Sequence, residues 1–148
     1  MTGPAKPEGE ERPMKRITLK AATESIPEVT AFVDRELEAV ECSIRAQMQI
    51  DVAIDEIFSN IAYYAYGPGG GDATVQFRFD ASKRTVTIDF IDGGAPFDPL
   101  KKPDPNVKAG IEEREIGGLG IFLVKKTMDE MRYRREDGKN VLTIIKTI

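Results

Sequence analysis

The sequence contains no histidine and only one cysteine. Without histidine, this chain can form no Ser-His-Asp or Cys-His nucleophilic system, no His-ligated zinc site and no phosphohistidine. A single thiol, Cys42, forms neither an internal disulfide nor a thiolate zinc cluster, and is typical of a reducing compartment. Any chemistry must therefore come from carboxylates, amides, backbone N–H groups or a hard metal ion.

Long apolar runs and a strong net charge are also missing. No run approaches the roughly 18 apolar residues of a membrane span, and the polar start 1–4 lacks the apolar core of a signal peptide. The 148 residues carry 21 Lys and Arg against 25 Asp and Glu, which gives no electrostatic reason to expect nucleic acid or an anionic membrane as partner. We therefore expect a cytoplasmic protein that binds neither.

The chain divides into a short leader and one domain. Residues 1–14 are rich in proline, glycine and charge, so we predict a flexible leader, followed by a single domain over 15–148. Alternation of polar and apolar residues predicts a first strand at 16–20. Apolar residues at helical spacing then predict a helix from about 26 to 40 and a longer one from about 43 to 66.

The second half of the chain predicts two hairpins separated by a loop and a helix. The loop, 100–116, is rich in proline and charge, and Gly117-Gly118-Leu119-Gly120 opens the third helix. This order predicts a two-layer α/β sandwich, with a mixed, mostly antiparallel sheet covered on one face by about three helices. The hairpin strands are expected at 75–79, 86–90, 132–136 and 141–147.

Three polar motifs are candidates for a functional site. Glu56 and Asn60 are four residues apart on the long helix, so their side chains lie one above the other; the alternative is a solvated polar face. The Asp92-Gly93-Gly94 segment ends a strand, where an Asp can accept a hydrogen bond from an exocyclic amine, or it is a plain turn. The glycines at 117–120 open a helix whose free N–H groups suit an anion, or they form a linker.

The order of these motifs resembles that of the GHKL ATPases, which include gyrase and histidine kinase ATPase domains. The similarity spans roughly 50–148. The segments 53–60 (AIDEIFSN), 95–99 (APFDP) and 117–125 (GGLGIFLVK) most resemble the small stand-alone branch of anti-sigma factor serine kinases. This resemblance implies the Bergerat ATP-binding fold for residues 15–148.

The resemblance also implies a role for individual residues toward ATP and Mg²⁺. Glu56 would be the general base that deprotonates the acceptor hydroxyl, and Asn60 would hold Mg²⁺ against the phosphates. Asp92 would bind the adenine amino group, and Gly94 would let the ring approach. The backbone around Gly118, Leu119 and Gly120 would cradle the phosphates beneath a lid over 100–116, in which Arg114 would contact the γ-phosphate.

The function implied is an ATP-dependent serine kinase that sequesters a sigma factor and phosphorylates an anti-sigma-factor antagonist of the STAS type. Such proteins work as homodimers, for which the first strand and helix are candidates. The alternative is a nucleotide-gated binding module without kinase activity. The sequence departs from its relatives at Tyr64-Ala65-Tyr66, where they often carry His and Gly, and at Asn140, where they often carry Thr near the adenine.

Overall fold

The computed structural model of the protein describes residues 13–101 and 118–148. Most of the expected leader and nearly all of the expected lid, including Arg114, lie outside these residues, and both remain predictions. No helix of the described part is both long and apolar enough to cross a lipid bilayer. In chain order the elements are β1 (Lys15–Lys20), α1 (Ile26–Ala39), α2 (Ile44–Tyr64), β2 (Asp72–Asp80), β3 (Thr85–Asp92), α3 (Gly118–Thr127), β4 (Glu130–Glu136) and β5 (Lys139–Thr147).

The five described strands form one sheet in the order β1-β2-β3-β5-β4. The predicted two-layer α/β fold is confirmed, but the sheet is not mixed, because every pairing of the described strands is antiparallel. Short turns join β2 to β3 and β4 to β5, and such hairpins pair only antiparallel strands. The second turn has positive φ at Asp137 (52°) and Gly138 (75°), as a two-residue hairpin turn of type I′ requires.

Helices α1 and α2 cover one face of the sheet with apolar side chains at helical spacing. Val29, Val33 and Leu37 of α1 are all 0% exposed, and α2 contributes a longer stripe that includes Ile50 and Ile57. Such a stripe lies on one side of a helix and is buried against its neighbours. The sheet contributes buried apolar side chains to the same core: Val75, Phe77, Phe79, Val86, Ile88, Phe90, Leu142 and Ile144.

Helix α2 carries the candidate site, and both of its ends are held by identifiable contacts. Ser43 caps the N-terminus, since its Oγ accepts a hydrogen bond from Ala46 N at 3.1 Å. The helix ends at Tyr64, two residues earlier than the sequence predicts. The carbonyl of Ala65 accepts a hydrogen bond from Ala95 N, at 3.0 Å. The C-terminal end of α2 is thereby attached to the segment that follows β3.

Candidate functional site

A pocket lies between the C-terminal half of α2 and the ends of β3 and β5. Asn60, Asp92 and Asn140 supply its polar side chains, and an apolar lining surrounds them. Its volume is about 30 Å³, room for roughly one water molecule, so a planar heterocycle enters only if lining side chains move. The remaining lining residues are Ile57, Ile61, Phe90, Phe97, Pro99, Ile121, Tyr133 and Leu142.

Asp92 is fixed in the pocket by hydrogen bonds to one of its two carboxylate oxygens. Its Oδ1 accepts from Gly94 N at 2.9 Å and from Asn140 Nδ2 at 2.9 Å, while the side chain as a whole is buried. Asp92 and Asn140 are direct partners in the pairing of β3 with β5. The two bonds leave Oδ2 as an acceptor for a ligand, which suits the exocyclic amine of a flat ring.

Asn140 is saturated with hydrogen bonds and is therefore not free to contact a ligand. Its Nδ2 also donates to Ala95 O, at 2.8 Å, so both donors are used. Its Oδ1 accepts from Tyr133 Oη at 2.5 Å, from Arg135 Nη1 at 3.2 Å and from Phe97 N at 3.2 Å. Sequence reasoning offered Asn140 only as a replacement for a threonine and missed Tyr133 and Arg135. These three residues are brought together by the register of β4 against β5, which cannot be read from the sequence.

Gly94 lies against the end of α2. A Cβ at this position would be 2.0 Å from the carbonyl oxygen of Ala65, so glycine is needed for the backbone of α2 to approach. The expected contact of Gly94 with a ring remains a prediction. Arg135 Nη1 donates to Gly94 O at 2.8 Å and holds the same segment from β4.

Tyr66 braces the segment after Asp92 from the other side. Its hydroxyl donates to Asp72 O at 2.6 Å and accepts from Gly93 N at 2.7 Å. The ring also packs so closely on Gly71 that a Cβ there would be 2.3 Å from a ring carbon. Tyr66 therefore links the end of β3 to the start of β2, a role that the departure at 64–66 did not reveal.

Glu56 lies one helical turn before Asn60 and contacts the first turn of α3. A Cβ at Gly120 would be 1.8 Å from Glu56 Oε2, so the glycine leaves the room that this carboxylate occupies. Glu56 is half-buried, and burial, followed by repulsion from Asp55, raises its pKa above the ordinary value. A raised pKa brings a carboxylate closer to the working range of a general base.

Helix α3 begins at Gly118, so the N–H groups of Gly118, Leu119 and Gly120 belong to its first turn. The N–H groups of a first turn have no partner within the helix and favour an anion. The described residues contain no group of three or more acidic or cysteine side chains arranged to hold a metal. Phosphate-bound Mg²⁺ takes only one or two ligands from the protein, mostly carboxylates, and an Asn side chain serves in some kinases. Asn60 therefore remains the predicted ligand.

Comparisons with known proteins agree with this geometry. A family model described as the histidine kinase-like ATPase domain matches residues 19–146. The serine/threonine-protein kinase BtrW of Bordetella bronchiseptica is 29% identical over 102 residues, covering 69% of this chain and 71% of its own length. The serine-protein kinase RsbW of Listeria innocua is 28% identical over 105 residues, covering 68% of this chain and 66% of its own.

A solved structure resembles the fold at low sequence identity. The RsbU and RsbW domains of Rv1364c from Mycobacterium tuberculosis align with a TM-score of 0.65 and 18% identity, covering 91% of this chain and 32% of that chain. The expected resemblance to the GHKL ATPases and their serine kinase branch is confirmed by these matches. The chain belongs to the histidine kinase-like ATPase domain family.

Proposed function

We propose that this protein is an ATP-dependent protein-serine kinase that acts as an anti-sigma factor and phosphorylates an anti-sigma-factor antagonist of the STAS type. The observation that carries the proposal is the contact between Glu56 and the first turn of α3, one helical turn from the pocket of Asn60 and Asp92. This contact brings a candidate base beside the backbone donors expected to hold phosphate.

The adenine of ATP would occupy the apolar pocket with its amino group on Asp92 Oδ2. The bonds from Gly94 N and Asn140 Nδ2 to Oδ1 hold the carboxylate in one orientation. A fixed acceptor favours a 6-amino purine over a 6-oxo purine, because the oxo group offers no donor at that point. ATP rather than GTP is therefore the expected nucleotide.

The transfer step would depend on Glu56. Its carboxylate accepts the proton of the acceptor serine while the serine oxygen bonds to the γ-phosphorus and the bond to ADP breaks. The N–H groups at the start of α3 would stabilise the negative charge of the phosphates. Mg²⁺, with Asn60 as a ligand, would supply further neutralisation of that charge when bound.

The proposal includes a cytoplasmic homodimer. The lone Cys42 fits a reducing compartment. The strand β1 is bonded to β2 alone among the described strands, which leaves its outer edge available for a second copy. Sedimentation of the purified protein at several concentrations tests the dimer.

The decisive experiment measures phosphate transfer from labelled Mg-ATP to candidate antagonist proteins, with mass spectrometry to locate one added phosphate on a serine. Glu56→Gln keeps the size of the side chain but removes the base, so transfer should fall by about 100-fold or more while ATP affinity, measured by calorimetry, stays within threefold. Glu36→Gln, the same change at another half-buried glutamate, is the matched control and should transfer normally.

Two outcomes would each contradict one part of this proposal. Equal transfer by Glu56→Gln would remove Glu56 from the role of base. ATP binding without transfer to any antagonist would instead support the nucleotide-gated binding module.

A further inference from the structure

A row of exposed apolar side chains runs along the outer side of α2. Ile44, Met48 and Val52 are 78%, 63% and 53% exposed. They are spaced four residues apart, so they form one row on the helix surface. At about 100° per residue this row lies opposite the side that is buried against α1 and the sheet. Exposed apolar side chains that are contiguous mark an interaction surface more often than scattered ones do.

The same row leads to Glu56. Glu56 follows Val52 by four residues, so the spacing that relates Ile44, Met48 and Val52 continues to the candidate base. Twelve residues separate Ile44 from Glu56, which is about 18 Å of helix. A protein segment lying on this row would therefore reach Glu56 at one end.

One flank of the row is acidic. A groove of about 370 Å³ lies between the end of α1 and the start of α2, and its lining includes Glu38, Glu41 and Asp51 but no Lys or Arg. Burial, a hydrogen bond with Asp34 and repulsion from nearby carboxylates raise the pKa of Asp51 to about 7. Above that pH the Asp51 carboxyl is ionised, beside the side chains of Glu38 and Glu41 in the same groove. Arg45 lies about 120° around the helix from Asp51, on the other side of the row. Arg84 donates to the carbonyl oxygen of Glu41, and neither arginine lines the groove.

The charge of the groove argues against a second copy as its occupant. A twofold dimer places the same patch on both sides of the interface. Two such patches would bring acidic side chains of one copy near acidic side chains of the other, and like charges brought together in an interface are costly. A partner with basic side chains beside its apolar ones would instead complement both features.

We propose that the Ile44–Met48–Val52 row and its acidic flank are the docking surface for the acceptor protein, which presents an amphipathic helix with apolar side chains flanked by Lys or Arg. The inference rests on the proposed kinase function and extends it, because it states where the acceptor binds and with what chemistry. The docked helix would lie along α2 and deliver the acceptor toward Glu56.

The first experiment uses two synthetic helical peptides and the full-length protein at pH 8. Both peptides carry leucines at helical spacing, flanked by lysines in one and by glutamates in the other. Fluorescence anisotropy should detect binding of the lysine peptide and at least tenfold weaker binding of the glutamate peptide. Met48→Glu should weaken binding of the lysine peptide at least tenfold. Leu123→Glu, at an apolar residue that is 48% exposed on α3, is the matched control and should bind normally.

Several results would overturn the assignment. They are equal binding of both peptides, unchanged binding by Met48→Glu, or an equal loss in Leu123→Glu. A wild-type dimer that Met48→Glu converts to a monomer, measured by sedimentation, would assign the row to a second copy instead.

A second experiment separates this inference from the proposed function. In the transfer assay, Met48→Glu should raise the KM for the acceptor protein about tenfold, with kcat and the affinity for Mg-ATP unchanged. An unchanged acceptor KM would contradict the docking surface while leaving the kinase assignment intact. Failure of the wild-type protein to bind Mg-ATP would contradict the kinase assignment. The docking surface could still be tested, because the peptide measurement needs no nucleotide.

Discussion

The two ends of the candidate site are built differently. At the Asp92 end, the side chain of Asn140 makes five hydrogen bonds that join Asp92, the 95–97 segment and β4. At the Glu56 end, the carboxylate makes no hydrogen bond to any residue of the described ranges 13–101 and 118–148. Glu56 is held there by burial and by its contact with Gly120.

This difference follows from what each end has to do. A base-recognising carboxylate must keep one orientation to select its ligand, and a saturated network provides that before any ligand arrives. A general base must remain free to accept a proton, so a carboxylate without fixed donors keeps its pKa raised. We expect substitutions at the Asp92 end to affect folding and affinity, and substitutions at the Glu56 end to affect transfer.

The largest expected effect is at Gly94. In Gly94→Ala the added methyl would meet the backbone of Ala65, which cannot move without displacing the end of α2. We expect the free energy of unfolding, measured in urea, to fall by about 3 kcal/mol. Gly69→Ala, where a Cβ would meet nothing within 4 Å, is the control and should change stability little. A stable Gly94→Ala protein would mean that this end is less rigid than we describe.

Gly120→Ala should change phosphate transfer much more than stability. Here the added methyl meets the end of a side chain, the Glu56 carboxylate, which can rotate away. We expect stability within about 1 kcal/mol of the parent but phosphate transfer reduced about 100-fold, because the base leaves its position. Gly67→Ala, with open space around the Cβ, should retain transfer. Full activity in Gly120→Ala would mean that phosphate transfer does not depend on the contact between Glu56 and Gly120.

Asn140→Ala tests the hydrogen-bond network around Asp92, and its expected effect is smaller than those of the two glycine substitutions. It removes two donors, one to Asp92 and one to Ala95 O, and we expect ATP affinity to fall about tenfold, or roughly 1.4 kcal/mol. Tyr133→Phe removes one bond to Asn140 and should weaken ATP by about threefold. Calorimetry with ATP and with GTP measures both. The preference for ATP should shrink in Asn140→Ala, and an unchanged ratio would argue against orientation of Asp92 by Asn140.

The smallest effect concerns pH. Glu56 acts as a base only when it is ionised, so transfer should decline as the pH falls through its raised pKa. Repulsion from Asp55 is the second cause of that raised pKa, and Asp55→Asn removes it. The acid limb of the rate profile should then move toward lower pH, while the affinity for ATP at pH 8 stays the same. A shift of the acid limb toward higher pH would contradict repulsion from Asp55 as a cause of the raised pKa of Glu56.

Much of the fold was predictable because the sequence repeats simple periods. Val29, Val33 and Leu37 recur at helical spacing, and Val86, Ile88 and Phe90 alternate, so helix and strand followed from the pattern. The order of the strands in the sheet did not follow, because pairing β3 with β5 depends on where α3 returns the chain. The family was also predictable, since its motifs are short and keep their order along the sequence.

The residues that complete the site were less predictable. Glu56 and Asp92 stand in recognisable motifs, but Tyr133 and Tyr66 stand in none, and they act through contacts with residues distant in sequence. Glu56 and Gly120 are 64 positions apart, and only the packing of α3 on α2 brings them together. The exposure of Ile44, Met48 and Val52 likewise became visible only when the buried side of α2 was known.

By itself the sequence determined which chemistry is available, because the absence of histidine and the presence of Glu56, Asn60 and Asp92 are properties of composition and motif. It also determined the elements, because hydrophobic period is a local property. The tertiary structure alone decided which oxygen of Asp92 is left for a ligand and which glycine makes room for a helix or a carboxylate. These depend on register and packing between distant segments, and no local pattern encodes the distance between two atoms that only folding brings together.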